Sequence, residues 1–191
     1  MTLSVDRRAA ALLTRVRTVL RIAAEVSGDA MSQFLMDDVG KLGLFEAVSV
    51  GAFDRVVELL DAGGFADDEE SEEGEAERSR TPLLYIACTK KHARIVALLL
   101  KHGANPNAFY HRHSIIDSES VPCLIAAIPS VEIVEMLLSA GADPNKGHFQ
   151  REDTGWEASP LERAGGNTEL VALLRRYGAR PAGDRAPGLR H

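Results

Sequence analysis

Two histidines, His111 and His113, are separated by a single residue and are candidates for metal ligands. On an extended segment both side chains point to the same side, as two ligands of one ion do. Structural zinc, however, takes four ligands, and neither a third histidine nor a carboxylate stands at a matching spacing. We therefore predict no metal site.

Cys88 and His92 are four residues apart, a spacing that suits a thiolate paired with a base. A catalytic pair also needs a cleft and a third group that orients the base. The sequence contains no nucleophile elbow, phosphate-binding loop, HExxH motif or CxxC motif. We expect no catalytic residue and no cofactor, so the chain is predicted not to be an enzyme.

The elements that carry these residues repeat along the chain. Four segments end in glycines that are spaced by 40, 38 and 37 residues, namely Gly63, Gly103, Gly141 and Gly178. A valine stands seven residues before each glycine and a leucine four before, so the two share one face of a short helix. The glycine ends that helix in the left-handed conformation, and an earlier alanine belongs to a second helix. Each unit is thus predicted to be two helices and a tight turn, which must stack on neighbours.

These segments resemble ankyrin repeats. The resemblance is carried by TPLLYIACTKKHARIVALLLKHGANPN (81–107) and VPCLIAAIPSVEIVEMLLSAGADPN (121–145), and less completely by residues 44–64 and 159–179. It implies an all-α solenoid of four helix-turn-helix repeats over residues 40–180. The expected repeats are about 40–66, 80–110, 119–147 and 157–180.

The family period is about 33 residues, so the extra length here lies between repeats, in the hairpin loops that the family calls fingers. Finger one is 65–80, finger two 108–120 and finger three 146–159. Fingers commonly line the binding face of this family, and Tyr and Arg are favoured at interface centres. The predicted partner-binding residues are Tyr110, His111, Arg112, His113, His148, Phe149 and Trp156. Trp156 has the alternative role of covering the edge of the last repeat.

Finger one carries eight acidic residues and two arginines, which equals the net charge of −6 of the whole chain. Such a run is typical of a disordered, solvated loop, and its alternative role is to attract a basic partner. The rest of the chain is neutral, which disfavours nucleic-acid binding because that function needs a basic face.

The N-terminal region, 1–39, contains an amphipathic helix predicted over 4–28 and a linker. Its apolar stripe is Leu12, Val16, Val19, Ala23 and Val26, and five arginines lie on the other sides. We favour a cap on the first repeat over an anchor to an anionic membrane or a mitochondrial targeting segment. The tail, 181–191, is rich in Pro and Gly and is predicted to be disordered.

The resemblance implies a protein-binding module, a scaffold or adaptor that holds another protein through its fingers and concave face. Two alternatives are a dedicated inhibitor or immunity-type protein that blocks one enzyme, and a peripheral membrane adaptor. Cys88 and Cys123 lie in apolar surroundings, which predicts buried thiols in a reducing compartment, although a disulfide stays possible. We expect a cytoplasmic monomer, with a mitochondrial location as the alternative, and no transmembrane helix.

Overall fold

The structure is a computed structural model, and it describes residues 42–74, 77–114, 118–151 and 156–181. For residues 149–151, 156 and 157 only the backbone is described. The predicted N-terminal helix and nearly all of the predicted tail lie outside the described residues. The chain divides into two compact units, Met1–Phe65 and Ala66–His191.

The first unit contains one helix pair, α1 (Leu44–Val50) and α2 (Phe53–Asp61). Gly51 ends α1 with a φ of 79°, a left-handed conformation that glycine adopts without strain. Val48 and Val56 are fully buried between the two helices.

The second unit contains three helix pairs. They are α3 (Leu83–Thr89) with α4 (Ala93–Lys101), α5 (Cys123–Ala127) with α6 (Val131–Ser139), and α7 (Pro160–Ala164) with α8 (Thr168–Arg176). The first helices of successive pairs contact each other, and so do the second helices, so the pairs stack. The predicted helix-turn-helix units are therefore present in this unit.

The core of the second unit follows the predicted valine and leucine positions. Val96, Leu99, Val134, Leu137 and Leu174 are all fully buried. In the last pair, Val171 is only half-buried, because no further helix pair covers that side among the described residues. Each fully buried valine or leucine contributes roughly 1.5–3 kcal/mol to stability by leaving water.

The NPN and DPN sequences connect one repeat to the next by hydrogen bonds. Asn107 Nδ2 donates to the carbonyl of Gly141 at 3.0 Å, and Asn107 Oδ1 accepts from the N–H of Asp143 at 2.8 Å. One repeat later, Asn145 Nδ2 donates to the carbonyl of Gly178 at 3.1 Å. These asparagines thus fix the spacing and the orientation of adjacent repeats.

The turn between α3 and α4 carries Lys91, which has a φ of 61° where the family pattern has glycine. Its Nζ donates to the carbonyls of Ala126, Ala127 and Ile128 at 2.7, 2.8 and 3.0 Å. These carbonyls lie at the end of the short helix α5, so Lys91 caps a helix of the following repeat.

The predicted all-α fold is wrong, because the fingers form an antiparallel sheet. Its six strands are β1 (Glu69–Glu73), β2 (Glu77–Pro82), β3 (Phe109–Ser114), β4 (Ser118–Pro122), β5 (His148–Arg151) and β6 (Trp156–Ala158). The strands pair in chain order, from β1 at one edge to β6 at the other. The protein therefore combines helices with a sheet.

The geometry of stacking explains this sheet. Each finger is a hairpin of two strands about 4.8 Å apart, so it occupies about 10 Å along the sheet. Packed helices are also separated by 8–10 Å, so successive fingers arrive one strand spacing apart. Their backbone N–H and C=O groups then pair with each other rather than with water.

Finger one is consequently a hairpin and not the predicted disordered loop. Arginines interleave with its glutamates: Arg78 lies opposite Glu73, and Arg80 Nη1 lies 3.7 Å from Glu69 Oε1. Opposite charges on facing strands stabilise a pair, so the acidic run tolerates the strand conformation. Strand β2 also pairs with β3, which supplies the second set of hydrogen bonds.

Candidate binding surface

Strand alternation gives the finger sheet two chemically different faces. His111 lies opposite Arg80 on β2 and Ser120 on β4, while His113 lies opposite Arg78 and Ser118. Residues directly opposite each other in an antiparallel pair share a face. We call the face with His111 and His113 the histidine face, and the face with Tyr110 the tyrosine face.

The histidine face is open to solvent and concave. The side chains of Arg78, Arg80, His111 and His113 are all exposed. Together with Ser118 and Ser120 they line a depression of about 380 Å³, which the intervening residues Ser79, Arg112 and Glu119 of the same strands also border. Residues from three neighbouring strands and two different fingers therefore form one surface feature.

An aromatic and cationic group extends this face towards finger three. The rings of Phe109 and His111 meet edge to face with centroids 4.1 Å apart, and Lys146 Nζ lies 4.2 Å above the Phe109 ring. Lys146 also donates to the carbonyl of Asn107 at 3.1 Å, which fixes its ammonium in place. Cation–π contacts of this kind contribute about 0.5–1 kcal/mol at exposed sites.

The electrostatic surroundings of His111 favour its neutral form. Partial burial lowers the pKa of His111, the positive charges of Arg80 and Lys146 lower it further, and Glu69 opposes them. An imidazolium at this position becomes favourable when a negative group binds beside it.

The tyrosine face packs against the helices. Tyr110 is only 4% exposed and forms a cluster with Val121 and Ile125. Its ring stacks on that of Tyr85 in helix α3, with centroids 5.1 Å apart. Burial raises the pKa of both phenols, so each stays protonated. The side chain of Tyr110 therefore packs against the helices and anchors the sheet, whereas sequence analysis placed it in an exposed loop.

Two other predicted partner-binding residues are engaged within the protein on the tyrosine face. Arg112 lies between Glu77 and Glu119, with nitrogen–oxygen distances of 3.6 Å to each. His148 is buried, and its Nε2 lies 3.2 Å from Glu119 Oε1. Burial and ion pairing thus hold Arg112 and His148 in a network that joins β2, β3, β4 and β5.

The structure therefore separates the residues that sequence analysis grouped. His111 and His113 are brought together on the open face, whereas Tyr110, Arg112 and His148 lie on the other. The side chains of Phe149 and Trp156 lie outside the described part of the chain. Sequence analysis missed Arg78, Arg80 and Lys146. The alternating arginines of ERSR were a weak strand signal, which the surrounding acidic residues outweighed.

The described part of the chain also contains the two cysteines and the other candidate metal ligands. Cys88 and Cys123 are buried and not disulfide-bonded. A hydrogen bond with Cys88, together with burial, holds the pKa of Cys123 well above its usual range, which suits a neutral thiol. Within the described ranges, no three His, Cys, Asp or Glu side chains form a metal-binding group. None of the described helices has the length and apolar character to cross a bilayer.

Comparison with known proteins gives two findings. A family model described as ankyrin repeats (3 copies) matches residues 44–148, which is more than half of the chain. An intracellular phospholipase A2 of Caenorhabditis elegans is 34% identical over 101 residues. That match covers 52% of this chain but only 9% of the phospholipase, so the chain spans a small fraction of that protein's length.

Proposed function

Because the chain belongs to the ankyrin-repeat family, we propose that it is a non-enzymatic adaptor that holds a partner protein on its histidine face. Ankyrin repeats indicate a protein-interaction module. The observation that supports this particular surface is the depression formed by exposed side chains of fingers one and two.

The rigidity of the finger sheet supports the same surface. A flexible loop that becomes ordered on binding loses backbone conformational entropy, about 1–2 kcal/mol for each residue whose backbone is fixed. Here the strands are hydrogen-bonded from β1 to β6, and Tyr110 fastens the sheet to helices α3 and α5. The backbone positions that carry the side chains of the histidine face are thus fixed before a partner binds.

The resemblance to a phospholipase does not favour an enzyme. Its 101 matched residues are only 9% of that protein, whereas the ankyrin family model that matches residues 44–148 of this chain indicates a protein-interaction module. In this chain the buried, neutral Cys123 and its neighbour Cys88 do not offer a nucleophile. We therefore propose that the chain has no catalytic activity.

Site-specific photo-crosslinking tests the proposed surface. A photoreactive amino acid replaces His113 on the histidine face or, as a control, Lys101 at the exposed end of helix α4. Irradiation in native lysate, followed by mass spectrometry, is expected to attach a protein at position 113 and not at position 101. Identical crosslinked proteins at both positions, or none at either, would contradict the proposal.

A second experiment distinguishes an adaptor from a dedicated enzyme inhibitor. The crosslinked partner is purified, and its own activity is measured with and without the full chain. An adaptor leaves that activity unchanged at saturation, whereas an inhibitor abolishes it in proportion to the bound fraction.

A further inference from the structure

We propose that the histidine face binds an extended acidic segment of the partner, with carboxylates at alternate positions seated among Arg78, Arg80, His111 and His113. The proposal rests on the proposed function and adds the chemistry of the partner to it. An acidic segment here means a stretch of Asp or Glu residues that repeats every second position.

The four basic side chains form a regular grid. Arg80 faces His111 across β2 and β3, and Arg78 faces His113. Neighbouring strands lie about 4.8 Å apart, and alternate residues of one strand about 6.7 Å apart. An extended peptide repeats its own alternate side chains at the same 6.7 Å or so. Carboxylates at positions i and i+2 therefore match the spacing of either basic row.

The depression contains further groups that suit carboxylates. Ser118 and Ser120 lie beside the histidines on β4 and supply hydroxyl donors. Arginine guanidinium groups and carboxylates form directed, paired hydrogen bonds, which add geometric selectivity to the charge attraction. Lys146 places one more fixed positive charge next to His111.

The chain's own strand β1 shows that acidic side chains fit beside these arginines. Glu69 Oε1 lies 3.7 Å from Arg80 Nη1, and Glu73 lies opposite Arg78. Both members of the Arg80–Glu69 pair are exposed, so the pair contributes little energy and leaves the arginine available. These glutamates also border the face, and they repel an acidic segment that shifts from β2–β4 towards β1.

The same border disfavours a nucleic acid. A phosphate backbone needs a broad basic surface, whereas this face ends in an acidic strand and the chain has a net charge of −6. A short peptide fits within the basic area, so we favour it, and a nucleic acid becomes one outcome of the test.

Fluorescence anisotropy with the full chain tests this inference. The probe is a fluorescein-labelled octapeptide in which Glu alternates with Ser, and a Lys–Ser octapeptide is its charge-reversed control. Arg78→Glu/Arg80→Glu is expected to weaken binding of the Glu–Ser probe about tenfold or more, because two attractions become repulsions. The matched variant Lys101→Glu/Arg163→Glu changes the net charge equally at exposed helix positions and is expected to stay within about twofold.

A variant that is expected to bind the probe more tightly controls for losses of binding that are caused by unfolding. Glu69→Gln/Glu73→Gln removes the acidic border, so the Glu–Ser probe is expected to bind about two- to fivefold more tightly. Damage to the sheet cannot produce tighter binding, and circular dichroism checks that every variant remains folded.

Three results would overturn the inference. They are no binding of the Glu–Ser probe up to about 1 mM at low salt, equal losses in both charge-reversal variants, and tighter binding of an oligothymidylate than of the probe. If the probe fails while photo-crosslinking at position 113 still captures a protein, the acidic segment is wrong and the proposed surface stands. If both fail, the proposed function fails as well.

Discussion

In the run from Tyr110 to His113, neighbouring residues serve different purposes because strand β3 points them to opposite faces. Tyr110 and Arg112 hold the sheet to the rest of the protein, while His111 and His113 face solvent. The His-x-His spacing already predicted that both histidines share a side on an extended segment. It did not identify their neighbours Arg78 and Arg80, because those lie on a strand about 30 residues earlier.

The pKa of His111 depends on the charged side chains that surround it. We expect an NMR titration of its ring protons to give a pKa below the ordinary value of about 6.5. Arg80→Gln is expected to raise the pKa, and Glu69→Gln to lower it further, because the two substitutions remove opposite charges.

The sign for stability follows from the direction of that shift. The folded state disfavours the charged imidazole, so His111 reduces stability as the pH falls through its ordinary value towards its lower folded value. An acidic partner reverses this preference, so binding is accompanied by proton uptake near pH 6. If Arg80→Gln and Glu69→Gln shift the pKa of His111 in the same direction, this account of its surroundings is wrong.

Tyr110 belongs to the packing of the sheet rather than to its binding surface. We expect Tyr110→Ala to lower the free energy of unfolding by about 3–4 kcal/mol, because it removes a buried ring and its stack on Tyr85. Urea unfolding measures the change. Tyr110→Phe keeps the ring and is expected to lose less than about 1 kcal/mol, and His113→Ala on the exposed face serves as the neutral control. Equal losses for His113→Ala and Tyr110→Ala would contradict the division into two faces.

At the scale of elements, the helices were predictable and the strands were not. The valines, leucines and terminal glycines are a local signal, because the helical period is visible within a few consecutive residues. The strands depend instead on partners from another repeat, such as β3 for β2. The run EESEE in β1 has poor intrinsic strand propensity, so its local signal favoured disorder. Strand β2 of the same finger supplies the hydrogen bonds and the arginines that hold β1 as a strand, and β2 is held in turn by β3.

The asparagine bridges between repeats are a second property of elements. We expect Asn107→Ala to destabilise the protein by about 0.5–1.5 kcal/mol, because it removes the hydrogen bonds to the Gly141 carbonyl and the Asp143 N–H, which then bind water instead. Asn107→Asp keeps the acceptor for Asp143 and is expected to lose less in urea unfolding. If Asn107→Ala matches the exposed control Lys101→Ala, the bridge does not contribute.

At the scale of the molecule, the sheet redistributes the charge that sequence analysis assigned to a solvated loop. Four acidic residues of finger one, Glu69, Glu70, Glu72 and Glu73, lie in the edge strand β1, and charged edges disfavour pairing with other chains. The arginines of the same finger lie one strand further in, where they border the histidine face. Finger one thus provides both the acidic edge strand and the arginines of the proposed binding surface.

The finger sheet and the helix stack are expected to open separately, which hydrogen exchange can resolve. Amides of β2 and β3 have a strand on each side, so they are expected to exchange at least about tenfold more slowly than those of the edge strand β1. Ser79→Pro places a proline within β2, where it blocks the ladder, and is expected to remove protection from β1 and β2. Helices α4 and α6 are expected to keep their protection, because they pack on each other. Ser79→Ala is the control for the lost hydroxyl. Fast exchange of the β2 amides in the unmodified chain would support the disordered loop that sequence analysis predicted. Loss of protection throughout the Ser79→Pro variant would show that the sheet and the helices unfold as one cooperative unit.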